Sequence, residues 1–227
     1  MQSIRERIAS AARAAGRNVD SITLLAASKD QPAGRVRAAA QAGLSHFGES
    51  YLQEALQKTE ALRDLPLVWH FIGRLQTNKT RPVASGFAWV HGVDRLKIAE
   101  RLSQQRPAEA PPLNVCLQVN LAAEATKGGV STHELPALAA AVAKLPRLKL
   151  RGLMCIPPDE DDPARQRHWF GGLRRELESL NAAGAQLDTL SMGMSGDFEA
   201  AVLEGATIVR VGTALFGPRQ RTTSGGA

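Results

Sequence analysis

Cysteine is scarce in this chain of 227 residues: Cys116 and Cys155 are the only two, and each sits in an apolar run. Such a pair supplies neither a disulfide framework nor a cysteine-based metal spacing, so a reducing, intracellular setting is expected. Long apolar runs are missing too. No stretch approaches the roughly 18 residues of a membrane helix, and the opening Met1-Gln-Ser-Ile-Arg-Glu-Arg7 is charged and amphipathic, unlike a secretory leader. A soluble cytoplasmic protein with no membrane contact is the expectation. Aromatic residues make up only 4% of the chain, which leaves little for base stacking. The formal charge of +6 is spread over scattered sites such as Arg35/Arg37, Arg147/Lys149/Arg151 and Arg174/Arg175, each among acidic or apolar neighbours. A solvated basic surface explains this better than a nucleic-acid partner, and an anionic small ligand fits it. A Walker lysine, a dinucleotide fingerprint and a His-Glu-x-x-His helix are all absent, so nucleotide hydrolysis and zinc chemistry lack their usual parts and no metal site is expected. The five histidines are dispersed along the chain.

What is present is a regular alternation. Hydrophobic residues reach 44%, enough for a substantial core in one large domain. Short apolar runs at 22–27, 45–48, 68–73, 87–90, 113–120, 148–154, 189–192 and 207–211 read as strands. Amphipathic stretches of helical length precede, separate or follow them at 3–15, 33–42, 51–63, 77–84, 94–105, 132–144, 163–183 and 198–204. Eight strands alternating with helices predict an α/β chain that closes as a single-domain (β/α)8 TIM barrel, with a doubly wound open sheet as the alternative. Residues 1–20 read as a helix preceding the barrel and 219–227 as a frayed tail.

Lys29 stands out in this frame. It ends the run Ile22-Thr-Leu-Leu-Ala-Ala-Ser28 and is followed by the strand-breaking Asp30-Gln31-Pro32. An ammonium at the mouth of an apolar core loses hydration, which lowers its pKa and makes the neutral amine a nucleophile for a carbonyl. A lysine snorkelling to solvent is the simpler account of the same position.

In barrels of this kind the carboxyl ends of strands seven and eight often carry a phosphate site. Here those ends are Ser191-Met-Gly-Met194-Ser195-Gly196-Asp197 and Arg210-Val-Gly212-Thr213, both rich in glycine, hydroxyl and exposed backbone N–H. Taken singly, Ser195 or Asp197 is explained as a helix cap and Gly212 as a turn. A phosphate site facing a strand-end lysine is what pyridoxal 5′-phosphate needs, with its aldehyde for the amine and its phosphate for the anchor. Arg210 would then either reach the ring nitrogen or simply pair with an acidic neighbour such as Glu49.

Six segments in order also resemble the pyridoxal phosphate homeostasis proteins, which are similar to the N-terminal barrel of alanine racemase. They are Leu24-Leu-Ala-Ala-Ser-Lys29, Phe47-Gly-Glu-Ser-Tyr51, Trp69-His-Phe-Ile-Gly-Arg-Leu-Gln-Thr-Asn-Lys79, Leu150-Arg-Gly-Leu-Met154, Ser191-Met-Gly-Met-Ser195 and Val209-Arg-Val-Gly-Thr213. The resemblance covers nearly the whole chain and implies a fold type III pyridoxal phosphate protein. It implies that Lys29 forms the internal aldimine, that Arg210 faces the pyridine nitrogen, and that Ser195, next to Met194, holds the phosphate with the Gly212 and Thr213 amides. The family usually has asparagine where this chain has Ser50, so a cofactor contact from Ser50 is shorter in reach or bridged by water. Lys79 and Lys127 are rival lysines near strand ends and rank below Lys29.

An arginine beside the ring nitrogen disfavours its protonation and so weakens the electron sink of most pyridoxal chemistry. The family comparison implies that racemases with such an arginine add a tyrosine base from an appended β domain. This chain has one tyrosine, Tyr51, which serves as a second base only if it points inward. The favoured reading is a monomeric, non-catalytic protein that stores pyridoxal phosphate and delivers it to apo-enzymes; the alternative is an amino-acid racemase on the same cofactor.

Overall fold

A computed structural model describes residues 1–124 and 127–217; the expected tail at 219–227 lies outside the described residues. Strands β1 (Thr23–Ala27), β2 (His46–Glu49), β3 (Val68–Phe71), β4 (Trp89–Val93), β5 (Leu113–Gln118), β6 (Leu148–Met154), β7 (Thr189–Ser191) and β8 (Ile208–Val211) pair in parallel, in sequence order. Leu25 of β1 registers with Arg210 of β8, and that pairing closes the barrel. Helix α1 (Gln2–Ala14) precedes β1, and α2 (Ala33–Gln41), α3 (Leu52–Ala61), α4 (Thr80–Gly86), α5 (Leu96–Gln105), α6 (Leu135–Val142), α7 (Pro163–Ala182) and α8 (Phe198–Leu203) form the connections. A last short helix, α9 (Thr213–Phe216), follows β8.

Local sequence explains the element ends. Pro163 opens α7, where a missing N–H costs nothing, and the Asp162 carboxylate accepts from the Ala164 N–H at 3.0 Å. Gly184, at φ +99°, turns the chain out of α7 in a conformation that any side chain would strain. Helix α1 lies on α8, where Arg7 bonds Glu199 at 2.6 Å and its guanidinium sits 4.5 Å from the centre of the Phe198 ring.

The barrel wall separates two kinds of interior. Outside it, Val36, Phe47, Val83, Phe87, Ile98, Leu102, Phe170 and Leu173 belong to one continuous apolar cluster between strands and helices. Each large side chain there contributes about 1.5–3 kcal/mol of burial, so Leu102→Ala would cost about 2–5 kcal/mol. Leu25, Cys116, Met154 and Ile208 are buried outside that cluster, inside the barrel, and they share the space with His70, His91, Ser191 and Arg210. Inside-facing residues of such barrels are usually branched apolar side chains, so this polar content is a departure.

Two expectations are corrected. The fourth strand runs 89–93 rather than 87–90: the Phe87 N–H still closes the last turn of α4 on the Val83 carbonyl, while His91 and Gly92, which do not look like strand residues, continue β4. His91 points into the barrel and Gly92 passes so near β3 that a Cβ would lie 2.8 Å from the Gly73 carbonyl oxygen. Lys29, as the strand reading 22–27 implies, lies two residues past the end of β1, on the connecting loop. Beyond β8 the expected turn at Gly212 caps a helix, α9.

Candidate functional site

The carboxyl ends of β1, β2, β3, β6, β7 and β8 surround a cavity of about 400 Å³. Lys29, Ser50, Met194, Ser195, Arg210, Gly212 and Thr213, all seven candidates, line it. Neither rival lysine does. Lys79 lines a neighbouring groove, and the Lys127 ammonium donates to Glu124 Oε1 at 2.9 Å and to the Pro157 carbonyl at 3.0 Å.

Lys29 is half-buried and its backbone is clamped on both sides. On one side the Ser28 hydroxyl donates to Glu49 Oε1 at 2.5 Å, and the Ser28 carbonyl accepts from Lys58 Nζ at 2.6 Å. On the other side the Asp30 N–H donates to Glu54 Oε1 at 2.8 Å, with Asp30 held at φ +63°. Lys58 joins the two halves, donating to Glu49 at 2.8 Å and to Glu54 at 2.5 Å. The sequence reading did not single out Lys58, because a lysine four residues after a glutamate on a helix has the signature of an exposed ion pair. Here it is 4% exposed.

Opposite Lys29, the ends of β7 and β8 form a cup. The Asp197 carboxylate accepts the Met194 N–H at 2.5 Å and holds the turn 194–197, while Ser195 Oγ accepts the Ala214 N–H at 3.2 Å and ties that turn to α9. Burial pushes the Asp197 carboxyl up, against the pull of its Met194 hydrogen bond and of Arg210. Gly212 is confined: a Cβ there would stand 3.1 Å from the Ala27 carbonyl oxygen. Having accepted from Ala214, Ser195 Oγ keeps its own hydrogen to donate, and the glycine-lined turns bring main-chain N–H groups to the same place, which suits a small anion. Ile72, Ile156 and Met194 give the cavity apolar sides, and Arg74 joins Lys29 and Arg210 as a third basic residue lining it.

Arg210 is 5% exposed and lies at the cavity floor. Its Nη1 donates to Ser191 Oγ at 2.8 Å and its Nη2 to the Cys155 carbonyl at 2.8 Å. The suggested pairing with Glu49 is not made, since Glu49 is engaged by Lys58 on the other side of the wall. Below Arg210, Ser191 meets His91, which meets His70, which meets His46. These histidines look dispersed in sequence, yet 24 and 21 residues apart they recur about once per βα unit, and that interval was the legible signal. Tyr51 is 54% exposed and lines the neighbouring groove rather than the cavity. Gln31, Ile72, Gly73 and Ile156 also line the cavity, without having been singled out in the sequence. Gly73 is required by packing, because a Cβ there would fall 2.2 Å from the Ser50 carbonyl oxygen.

The family model for the alanine racemase N-terminal domain matches residues 1–220. A pyridoxal phosphate homeostasis protein of Pseudomonas aeruginosa is 61% identical over 216 residues, covering 95% of this chain and 93% of that protein. Its namesake from Escherichia coli K12 is 49% identical over 219 residues, covering 95% and 94%. Among solved structures, PipY of Synechococcus elongatus with PLP bound is 40% identical with a TM-score of 0.83, covering 94% of this chain and all of that one. Alanine racemase of Corynebacterium glutamicum, 19% identical with a TM-score of 0.68, shares the fold over 96% of this chain and 61% of its own. The chain therefore belongs to the pyridoxal phosphate homeostasis proteins, within the alanine racemase N-terminal domain family.

Proposed function

We propose that this protein binds pyridoxal 5′-phosphate in the 400 Å³ cavity and serves to hold and hand on the cofactor, with Lys29 as its covalent point of attachment. The observation that carries the reading is that one cavity collects the Lys29 amine from the loop after β1, the anion cup from the turns after β7 and β8, and the Arg210 cation from β8 itself. The donor set fits the group. When bound, pyridoxal phosphate supplies an aldehyde that condenses reversibly with an amine, releasing water, and a phosphate that anchors it. Ser195 with the Gly212 and Thr213 main chain would hold the phosphate end, Arg210 the ring-nitrogen end, and Ile72, Ile156 and Met194 would supply apolar walls for the ring, with Ser50 also on the cavity wall. The clamp on Ser28 and Asp30 fixes the path of the main chain at Lys29, which favours one point of attachment.

A guanidinium at the ring nitrogen would disfavour its protonation, and Tyr51 lines the neighbouring groove rather than the cavity, so the residues favour retention over two-base racemisation. Transfer to apo-enzymes is the matching role. Purified protein loaded with the cofactor is expected to show a visible absorption band that Lys29→Ala abolishes; persistence of the band in Lys29→Ala overturns the assignment of Lys29.

A further inference from the structure

The barrel interior holds a row of hydrogen bonds running from the cofactor cavity to the opposite end of the barrel. Arg210 Nη1 and Ser191 Oγ are 2.8 Å apart, Ser191 Oγ and His91 Nδ1 2.7 Å, His91 Nε2 and His70 Nδ1 2.9 Å, and His70 Nε2 and His46 Nδ1 2.9 Å. His46 opens the first position of β2 and lines a second cavity of about 360 Å³ at the far end, beside Arg5, Leu44 and Ser45. The row thus spans the barrel.

Chemistry gives the row a direction. A guanidinium can only donate, so Ser191 Oγ is the acceptor of the Arg210 N–H. The one hydroxyl hydrogen of Ser191 then goes to His91 Nδ1, the other partner that oxygen has among the described residues. His91 must carry its proton on Nε2 and give it to His70 Nδ1, and His70 in turn gives its Nε2 proton to His46 Nδ1. In the reverse order the Arg210 and His91 N–H groups would both aim at Ser191 Oγ and leave its hydroxyl hydrogen without an acceptor, a costly defect in a buried site.

The direction has an electrostatic consequence for Arg210. No carboxylate hydrogen-bonds this buried cation among the described residues; Asp197 attracts it only from a distance. Each neutral imidazole of the row turns its lone-pair end toward the guanidinium, so three aligned dipoles and the Cys155 carbonyl stand in for a counterion. Burial and neighbouring positive charge hold His70 well below its ordinary value and His91 at about 3, which fits imidazoles kept neutral at the base of a cation.

We propose that Ser191, His91, His70 and His46 are positioning residues for Arg210: a one-way hydrogen-bonded chain that steadies its guanidinium at the ring-nitrogen end of the cavity. This rests on reading the cavity as the pyridoxal phosphate site, but the order of the protons does not depend on the cofactor. Nitrogen NMR of histidine-labelled, cofactor-free full-length protein is the first test. His46, His70 and His91 are expected as Nε2–H tautomers with bare Nδ1, while exposed His133 and His168 average between forms. A proton on Nδ1 of His70 or His91 overturns the chain and leaves the cofactor assignment standing.

The second test is retention of pyridoxal phosphate. Glutamine at position 70 can accept from His91 and donate to His46, so His70→Gln should hold the cofactor within about twofold of the parent, whereas His70→Leu should weaken it roughly tenfold. Equal retention by the two variants means that His70 acts by packing alone and overturns the proposal. A visible band that survives Lys29→Ala would instead strike at the cofactor assignment, with the tautomers unaffected.

Discussion

Lys58 and Arg210 are both buried cations, at 4% and 5% exposure, but they lie on opposite sides of the barrel wall and their partners differ in kind. Lys58, on α3, is held by two carboxylates, Glu49 and Glu54. Arg210, inside the barrel, has a hydroxyl, a main-chain carbonyl and the histidine row behind them. A cation already matched by carboxylates has its field cancelled close by, and what remains is a strut. A cation balanced by dipoles keeps its charge available to whatever enters the cavity. The outer cation therefore shapes the Lys29 loop, and the inner one lines the cavity with its charge unmatched by any hydrogen-bonded carboxylate among the described residues.

The largest expected effects follow from exchanging each cation for a neutral side chain of similar length. Lys58→Met leaves Glu49, fully buried, without its counterion and frees the Ser28 carbonyl, so chemical denaturation should show a loss of about 3–5 kcal/mol at neutral pH. Burial already pushes the Glu49 carboxyl above its ordinary value, with Lys58 and Ser28 restraining the shift. Without Lys58 the raised value rises further, so the deficit should shrink as pH falls and Glu49 takes up a proton. Arg210→Met should change stability by less than about 1 kcal/mol, or raise it, while weakening cofactor retention roughly tenfold or more. A large stability loss in Arg210→Met, or none in Lys58→Met, would erase the contrast.

The same contrast marks what was legible in the sequence. The strands, their order and the cavity residues were readable because they depend on periodicity and on a lysine, glycines and hydroxyls set just past apolar runs, signals that are local in the chain. Lys58 and its pairing with Glu49 were not, and the histidine row left no signal in the sequence but its spacing. Lys58 sits on a helix that reads as ordinary and amphipathic, and only the closing of β1 against β2 turns that face inward. His46, His70 and His91 belong to three different strands, and the stagger of those strands, with Gly48 registering to His70 and His70 to Trp89, brings their rings into line. Polar residues inside a barrel also disguise the strands that carry them, as the displaced β4 shows at His91 and Gly92.

Acid should expose the cost of the neutral row. The folded protein holds His91 at about 3 against an ordinary 6.5, so the unfolded chain binds a proton that the folded chain refuses across that interval. The contribution is fully present above the unfolded value and is lost as pH falls toward 3, amounting to about 3 kcal/mol between about pH 7 and pH 4. His91→Gln removes the titrating group while keeping an acceptor for Ser191 and a donor for His70. Urea denaturation over this range should show the parent losing stability faster than the variant on acidification, and superimposable slopes would argue that His91 is protonated in the folded state.

The smallest expected effect tests whether the inner side of the wall is finished for its ligand. Ser50 lines the cavity where the resembling proteins usually have asparagine, and the Ser50 carbonyl is locked against Gly73, so the main chain there cannot approach the cofactor more closely. A longer side chain is the remaining way to extend a hydrogen bond from this position. Ser50→Asn should leave stability within about 0.5 kcal/mol, since the side chain grows into the cavity, and should tighten pyridoxal phosphate retention by about two- to tenfold, the worth of one neutral hydrogen bond. Equilibrium titration of cofactor-free protein measures it directly. Unchanged or weaker binding would mean that Ser50 already reaches the ligand through water, leaving the lysine, the anion cup and Arg210 to carry the affinity.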